Sequence, residues 1–133
     1  MQTNCTFSVT GTTPVDYTPE ISTAMPVGLM HMVKEYAGDV TGRSITEFVS
    51  CFDGASNTGT YVAMESFEGT LAGRSGTFNF WHSATMVSGE RRDSQGFICP
   101  ATGTGELAGI TGTVELTIDD DGTHRFAFDW EIA

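Results

Sequence analysis

Lys34, Glu47, Glu65 and His82 are the residues of this chain whose types and spacing could do chemistry. Each alternates with apolar or aromatic residues: Met30, Met32, Lys34 and Tyr36 in one run, Glu47, Val49 and Cys51 in the next. Tyr61, Ala63, Glu65 and Phe67 follow in a third run, and Phe78, Phe80 and His82 in a fourth. A period of two places alternate residues of an extended strand on one face, so the ionisable groups share a face with the aromatics. Lysine and glutamate are almost never fully buried unless paired, which makes that placement informative. A glutamate near a histidine in apolar surroundings can move protons, because burial and neighbouring charge tune both groups for acid and base work. Glu65 and His82 are therefore the candidate catalytic pair. Lys34, Tyr36, Glu47, Tyr61, Phe67, Phe78, Phe80 and Trp130 are the candidate ligand contacts.

Other chemistry is disfavoured. Cys5, Cys51 and Cys99 are odd in number and lack a CxxC spacing, so they read as reduced thiols that pack as small hydrophobes. Gly103-Thr-Gly105-Glu-Leu-Ala108 fits a dinucleotide-binding GxGxxA loop, but β-branched Thr111 to Ile118 follows where that loop needs a helix. Asp119-Asp120-Asp121-Gly122 has too few spaced carboxylates for a calcium loop and reads as an acidic hairpin tip. Neither a metal nor a cofactor is expected.

The elements that must position these groups follow from an internal repeat: Gly38-Asp-Val-Thr-Gly42, Gly69-Thr-Leu-Ala-Gly73 and Gly105-Glu-Leu-Ala-Gly109. Each lies between runs rich in β-branched and aromatic residues, the pattern of a hairpin used three times. The second glycine of each copy can supply the positive φ of a two-residue turn. Turns at Thr41-Gly42, Ala72-Gly73 and Ala108-Gly109 put Tyr36 opposite Glu47, Lys34 opposite Val49, Phe67 opposite Phe78, Glu65 opposite Phe80, Ala63 opposite His82 and Ala101 opposite Leu116. If the Asp53–Gly59 loop keeps facing parity, Glu47 meets Glu65, and two carboxylates lie between Lys34 and His82 with one pKa raised. Ser88 to Gln95 reads as a loop, and His124, Phe126, Phe128 and Trp130 share the inner face of the last strand. Trp81 falls on the outer face, as expected of a subunit contact or a contact with the N-terminal arm. The fold class is all-β: an up-and-down antiparallel meander of about eight strands, the number at which a sheet closes into a small barrel.

Composition agrees. The chain of 133 residues carries 16 glycines, 9 phenylalanines and 20 threonines, with a net charge of −11 and a single lysine. It forms one domain over residues 1–133, with an extended proline-containing arm at 11–28. So acidic a chain cannot neutralise a row of phosphates and is repelled by anionic head groups, which excludes nucleic acid and membrane surfaces as partners. Met1 to Thr10 has neither a basic segment nor an apolar one, so a cytoplasmic protein is expected. A homodimer is the expected assembly, since cyclic dimers are the commonest oligomers.

The run Glu65-Ser-Phe67-Glu-Gly69-Thr-Leu71-Ala-Gly73-Arg-Ser-Gly76-Thr-Phe78, followed by His82 and by Gly103-Thr-Gly105-Glu-Leu107-Ala-Gly109, resembles a family of small uncharacterised bacterial proteins. Their fold is similar to the allene oxide cyclase barrel. The resemblance implies a closed barrel, and it carries Glu65 and His82 over as family positions. Cyclase chemistry reaches this chain only by analogy of fold, and the same analogy permits a trimer in place of the dimer. The expected function is binding of a small hydrophobic molecule in an aromatic lumen, with isomerisation or cyclisation by Glu65 and His82 as one form of it. The alternative is a non-catalytic carrier, or a structural or interaction protein whose barrel is filled by its own side chains.

Overall fold

The computed structural model describes residues 1–133 as eight antiparallel strands closed into a barrel in chain order. The strands are β1 (Gln2–Val15), β2 (Gly28–Gly38), β3 (Val40–Asp53), β4 (Thr58–Leu71), β5 (Arg74–Val87), β6 (Glu90–Ile98), β7 (Ile110–Ile118) and β8 (His124–Ile132). A single 3-10 turn, Gly105–Leu107, lies between β6 and β7. No helix is long and apolar enough to cross a membrane. Closure through the β1–β8 ladder removes the two open edges that an eight-stranded meander would otherwise expose.

The repeat forms three different structures. Only the middle copy is a two-residue turn: Ala72 and Gly73 both have positive φ, 50° and 79°, and Leu71 pairs with Arg74. That conformation matches the twist of the flanking strands, and the register is the expected one, with Glu65 opposite Phe80 and Ala63 opposite His82. The first hairpin instead turns at Gly38-Asp39, so Tyr36 pairs with Gly42 and Lys34 with Ser44 rather than with Glu47 and Val49. Gly42 lies inside β3, where a Cβ would stand 2.2 Å from the Glu68 carbonyl oxygen. Its role is close approach of strands, and the turn moves to the earlier glycine of the copy. The displacement is by an odd number of residues, so β3 reverses its faces: Ser44 and Thr46 are buried, while Glu47 and Val49 are exposed. The third copy is no hairpin at all. β6 and β7 meet at the Phe97–Thr113 pair, Ala101 lies in the connecting loop, and Leu107 of the 3-10 turn is fully buried. Phe97 consequently points outward and Ile98 inward.

One end of the barrel is sealed. Phe7, Tyr36, Phe67, Phe78, Phe80, Phe126, Phe128 and Trp130 form a continuous aromatic core, together with Val40, Leu71, Leu107 and Ile110. Phe80 packs edge-on against both Phe126 and Phe128, with ring centres 5.3 and 5.2 Å apart. Below Phe80 the edge of β5 is taken up by the loop after β6, through Cys99 N–H to the Asn79 carbonyl and Thr104 N–H to the Thr77 carbonyl. At the other end Ser50, Gly59 and Ala84 are among the inward residues, and a cleft remains between them. The expected arm at 11–28 is shorter, because Gly11 to Val15 continue β1 and pair with β2 from Gly11–Val33 to Val15–Leu29; the remaining segment 16–27 joins β1 to β2 at this end and is largely exposed.

Candidate functional site

Glu65 is the centre of a buried polar cluster on β4, and its side chain is fully enclosed. Oε1 accepts from Ser44 Oγ at 2.7 Å and Thr46 Oγ1 at 2.5 Å, and Oε2 accepts from Lys34 Nζ at 2.5 Å and from His82 Nε2 at 2.8 Å. Lys34 also lies over the Phe7 and Phe126 rings, 4.9 and 5.5 Å from their centres. Burial alone would raise the Glu65 pKa. The His82 hydrogen bond, the Lys34 charge and hydrogen bond, and the Thr46 hydroxyl outweigh it and bring the pKa down to about 2. A second carboxylate is absent from the cluster, because Glu47 lies on the outer face and pairs with His31 at 2.9 Å. The expected pair of carboxylates with one raised pKa is thus replaced by one carboxylate held ionised.

The direction of the remaining hydrogen bonds follows. An ionised Glu65 can only accept, so His82 Nε2 carries a proton. Burial lowers the His82 pKa, against the opposing effect of the hydrogen bond it donates to Glu65, and favours the neutral imidazole. Nδ1 is then an acceptor, and the Tyr61 hydroxyl, 2.8 Å away, donates to it. The Tyr61 oxygen in turn accepts from Arg91 Nη2 at 3.1 Å. Every donor in the chain Arg91, Tyr61, His82 points towards Glu65. Tyr36 joins separately through its 2.7 Å contact with Ser44, and burial followed by the Glu65 charge pushes its pKa well up.

Tyr61 and Arg91 are where this chain meets a cleft of about 330 Å3 at the open end of the barrel. Its wall includes Phe48, Ser50, Phe52, Gly59, Ala84 and Met86. Phe48 stacks on Tyr61 with ring centres 5.0 Å apart and planes 11° from parallel. Arg91 reaches the cleft because β6 carries a bulge. Ser83 pairs with Gln95 but Thr85 pairs with Arg92, one residue too far along β6, and Asp93 takes a positive φ of 56°. The extra residue exchanges the faces of β6, so Arg91 lies opposite inward-facing Met86.

Of the candidate residues, the structure brings Lys34, Glu65 and His82 together and puts Tyr36 one hydroxyl away. Tyr61 alone lines the cleft, while Phe67, Phe78, Phe80 and Trp130 are buried in the aromatic core. Sequence reasoning missed Ser44, Thr46, Phe48 and Arg91. The first three share the inward face of β3 and would have followed from a turn at Gly38-Asp39. Arg91 lay in a segment read as loop, and the sequence carries no clear signal for the bulge that turns it. Trp81 lies on the outer face as expected and packs on Phe97 at 5.6 Å between ring centres. All three cysteines are free, with burial raising the Cys5 thiol to about 11, and no three His, Cys, Asp or Glu side chains come together to hold a metal.

The model of the DUF3224 family, described as a protein of unknown function, matches residues 3–130. The chain belongs to that family. A crystal structure of a DUF3224 protein of unknown function from Shewanella oneidensis MR-1 is similar to it over the whole barrel. The two share 28% sequence identity with a TM-score of 0.88, covering 100% of this chain and 97% of the other. No curated protein matches the chain. Family membership therefore agrees with the fold and leaves the chemistry to be argued from the site.

Proposed function

We propose that this DUF3224 barrel binds a small, largely apolar molecule in the cleft at its open end, with Tyr61, His82 and Glu65 as a proton relay beneath it. The observation that carries this reading is that the buried chain of hydrogen bonds from Glu65 ends on the cleft wall at Tyr61. A ligand proton delivered to the Tyr61 oxygen would be matched by transfer of the tyrosine proton to His82 Nδ1, and the Glu65 carboxylate would stabilise the imidazolium formed. The residue that touches the ligand is Tyr61; His82 and Glu65 act through it. Isomerisation or cyclisation, the chemistry suggested by likeness to the allene oxide cyclase barrel, is the reaction class that such a relay could serve without a cofactor.

A carrier without turnover is the second reading, and one observation favours it. Both Glu65 oxygens are fully engaged, as a structural ion-pair network requires. Tyr61→Phe separates the two, because it keeps the ring on Phe48 and deletes the hydroxyl. Ligands are first found by thermal-shift screening of small apolar compounds. With a compound that wild type converts, the relay predicts binding within a few-fold of wild type and turnover lower by roughly 10²–10⁴. Unchanged turnover in Tyr61→Phe refutes the relay, binding without turnover in wild type establishes the carrier, and a screen in which nothing binds refutes both.

A further inference from the structure

We infer that the cleft ligand is an amphipathic carboxylate, its head on Arg91 and its hydrocarbon tail against Phe48, Phe52 and Met86. The inference rests on the cleft being a binding site, as proposed above. Of the six basic side chains, Lys34, Arg43, Arg92 and Arg125 each have a carboxylate partner. Arg74 lies over the Trp130 ring. Arg91 faces the cleft with no carboxylate partner, in a chain with 17 acidic residues available to supply one. Its Nη2 donates to Tyr61 and, at 3.4 Å, to Ser94, whereas its Nε is screened from solvent and hydrogen-bonds to nothing in the protein. Nη1 makes no hydrogen bond in the protein, and a guanidinium N–H left free at a cleft is a donor that a carboxylate takes in a charge-assisted hydrogen bond.

Three further features fit an anionic head with an apolar tail. Arg91 lies with its guanidinium 5.6 Å from the centre of the Tyr61 ring, which holds the fork in one orientation. The β6 bulge is what aims Arg91, rather than Arg92, at the cleft, and bulges recur where a side chain has to be re-aimed. The rest of the cleft wall, including Phe48, Phe52, Ala84 and Met86, carries no second charge. Repulsion by the net charge of −11 does not forbid such a ligand, because at physiological salt charges beyond about 8 Å are largely screened. The size is also bounded. A cleft of about 330 Å3 takes about ten non-hydrogen atoms at roughly 30 Å3 each, the share a water molecule has in the liquid.

Octanoate has that size, and 1-octanol is its uncharged counterpart. Calorimetric titration of the full chain should show octanoate bound at least tenfold more tightly than 1-octanol. Arg91→Met should lower octanoate affinity at least tenfold while 1-octanol affinity falls by no more than a few-fold, and a far-UV circular dichroism spectrum matching wild type shows the variant folded. Arg91→Lys, which keeps the charge and loses the fork, should fall between. Equal binding of octanoate and 1-octanol by wild type, or octanoate binding unaffected in Arg91→Met, overturns the carboxylate inference and leaves the cleft as a binding site. Inorganic phosphate competing as well as octanoate overturns the amphipathic class, since the tail would then contribute nothing. If neither octanoate nor 1-octanol binds, both the inference and the site it rests on fall.

Discussion

Glu65→Gln tests whether the buried cluster is an ion pair held by the fold. At the 2.5 Å separation of Lys34 Nζ and Glu65 Oε2, Coulomb attraction is about 7 kcal/mol at an effective dielectric of about 20. Desolvation of the two ions consumes much of that gain, so the pair itself is close to balanced. Removing one partner is a different matter. Glutamine leaves the Lys34 ammonium, 5% exposed, without a counter-ion, and it replaces one of two oxygens that each accept two hydrogen bonds with a donor. The expected loss is about 3–5 kcal/mol, a large part of the 5–15 kcal/mol typical of a domain. In urea, with a slope of about 2 kcal/mol per molar, the midpoint should fall by about 2 M. Adding Lys34→Met should recover at least about 2 kcal/mol, because the uncompensated charge is then gone. The wild type should also weaken in acid. The Glu65 pKa of about 2 lies below its ordinary 4.5, so this stabilisation is complete above pH 4.5 and is lost as pH falls from 4.5 towards 2. The span is worth about 3 kcal/mol, and Glu65→Gln should flatten it. His82, whose pKa is lowered chiefly by burial, adds a cost of its own as pH drops below 6.5. A Glu65→Gln loss under about 1 kcal/mol, or a double variant as unstable as the sum of the singles, refutes the buried-pair argument.

Two further substitutions probe the fold and its surface. Gly42→Ala should cost at least about 3 kcal/mol by thermal or urea denaturation, because its Cβ would collide with the Glu68 carbonyl at a φ of 132°. Gly73→Asn, at a turn with open space around it, should cost under about 1 kcal/mol, and equal melting of the two variants refutes the close-approach assignment. On the outer face, Met64, Trp81 and Phe97 form a cross-strand row beside paired Val49 and Val62, and we propose this band as the contact of the expected homodimer. Trp81→Glu combined with Phe97→Glu should then halve the mass seen by light scattering, and a monomeric wild type, or a mass that does not change, refutes it.

The strands were legible in the sequence because their alternation is strong, and the β4–β5 register was legible because Ala72-Gly73 is an ordinary two-residue turn. The same glycine pattern misled at Gly42, since a glycine that permits a turn and one that permits close strand approach look alike until the partner strand is in place. That single ambiguity moved Glu47 from the lumen to the surface and hid Ser44 and Thr46. Glu65 and His82 were recoverable because both lie on the hairpin whose turn was correctly placed. Arg91 was not, because the β6 bulge depends on Asp93 taking a left-handed backbone conformation, which an aspartate adopts only where the surrounding fold favours it.

The division of the barrel into a sealed end and an open one also has a physical cause. An eight-stranded barrel is just wide enough for its own side chains to fill it or for one small ligand to replace some of them. Inward positions on β4 and β5 carry Phe67, Phe78 and Phe80 towards the Ala72-Gly73 turn, and these close the lumen. Towards the other end the same strands offer Gly59, Ala63 and Ala84, and β3 offers Ser50. Gly59 is dictated by the backbone, because a Cβ there would stand 2.5 Å from the Cys51 carbonyl oxygen. Ser50 and Ala84 both line the cleft. The Glu65 cluster lies at the junction of the two halves. It ends the aromatic core with a charged group that must be satisfied, and the last of the hydrogen bonds that satisfy it come from His82 and, behind it, Tyr61. A network needed for stability on one side therefore fixes the orientation of a hydroxyl on the other. Structural and functional readings of the cluster are then compatible: the same hydrogen bonds that stabilise Glu65 hold Tyr61 and Arg91 in place at the cleft.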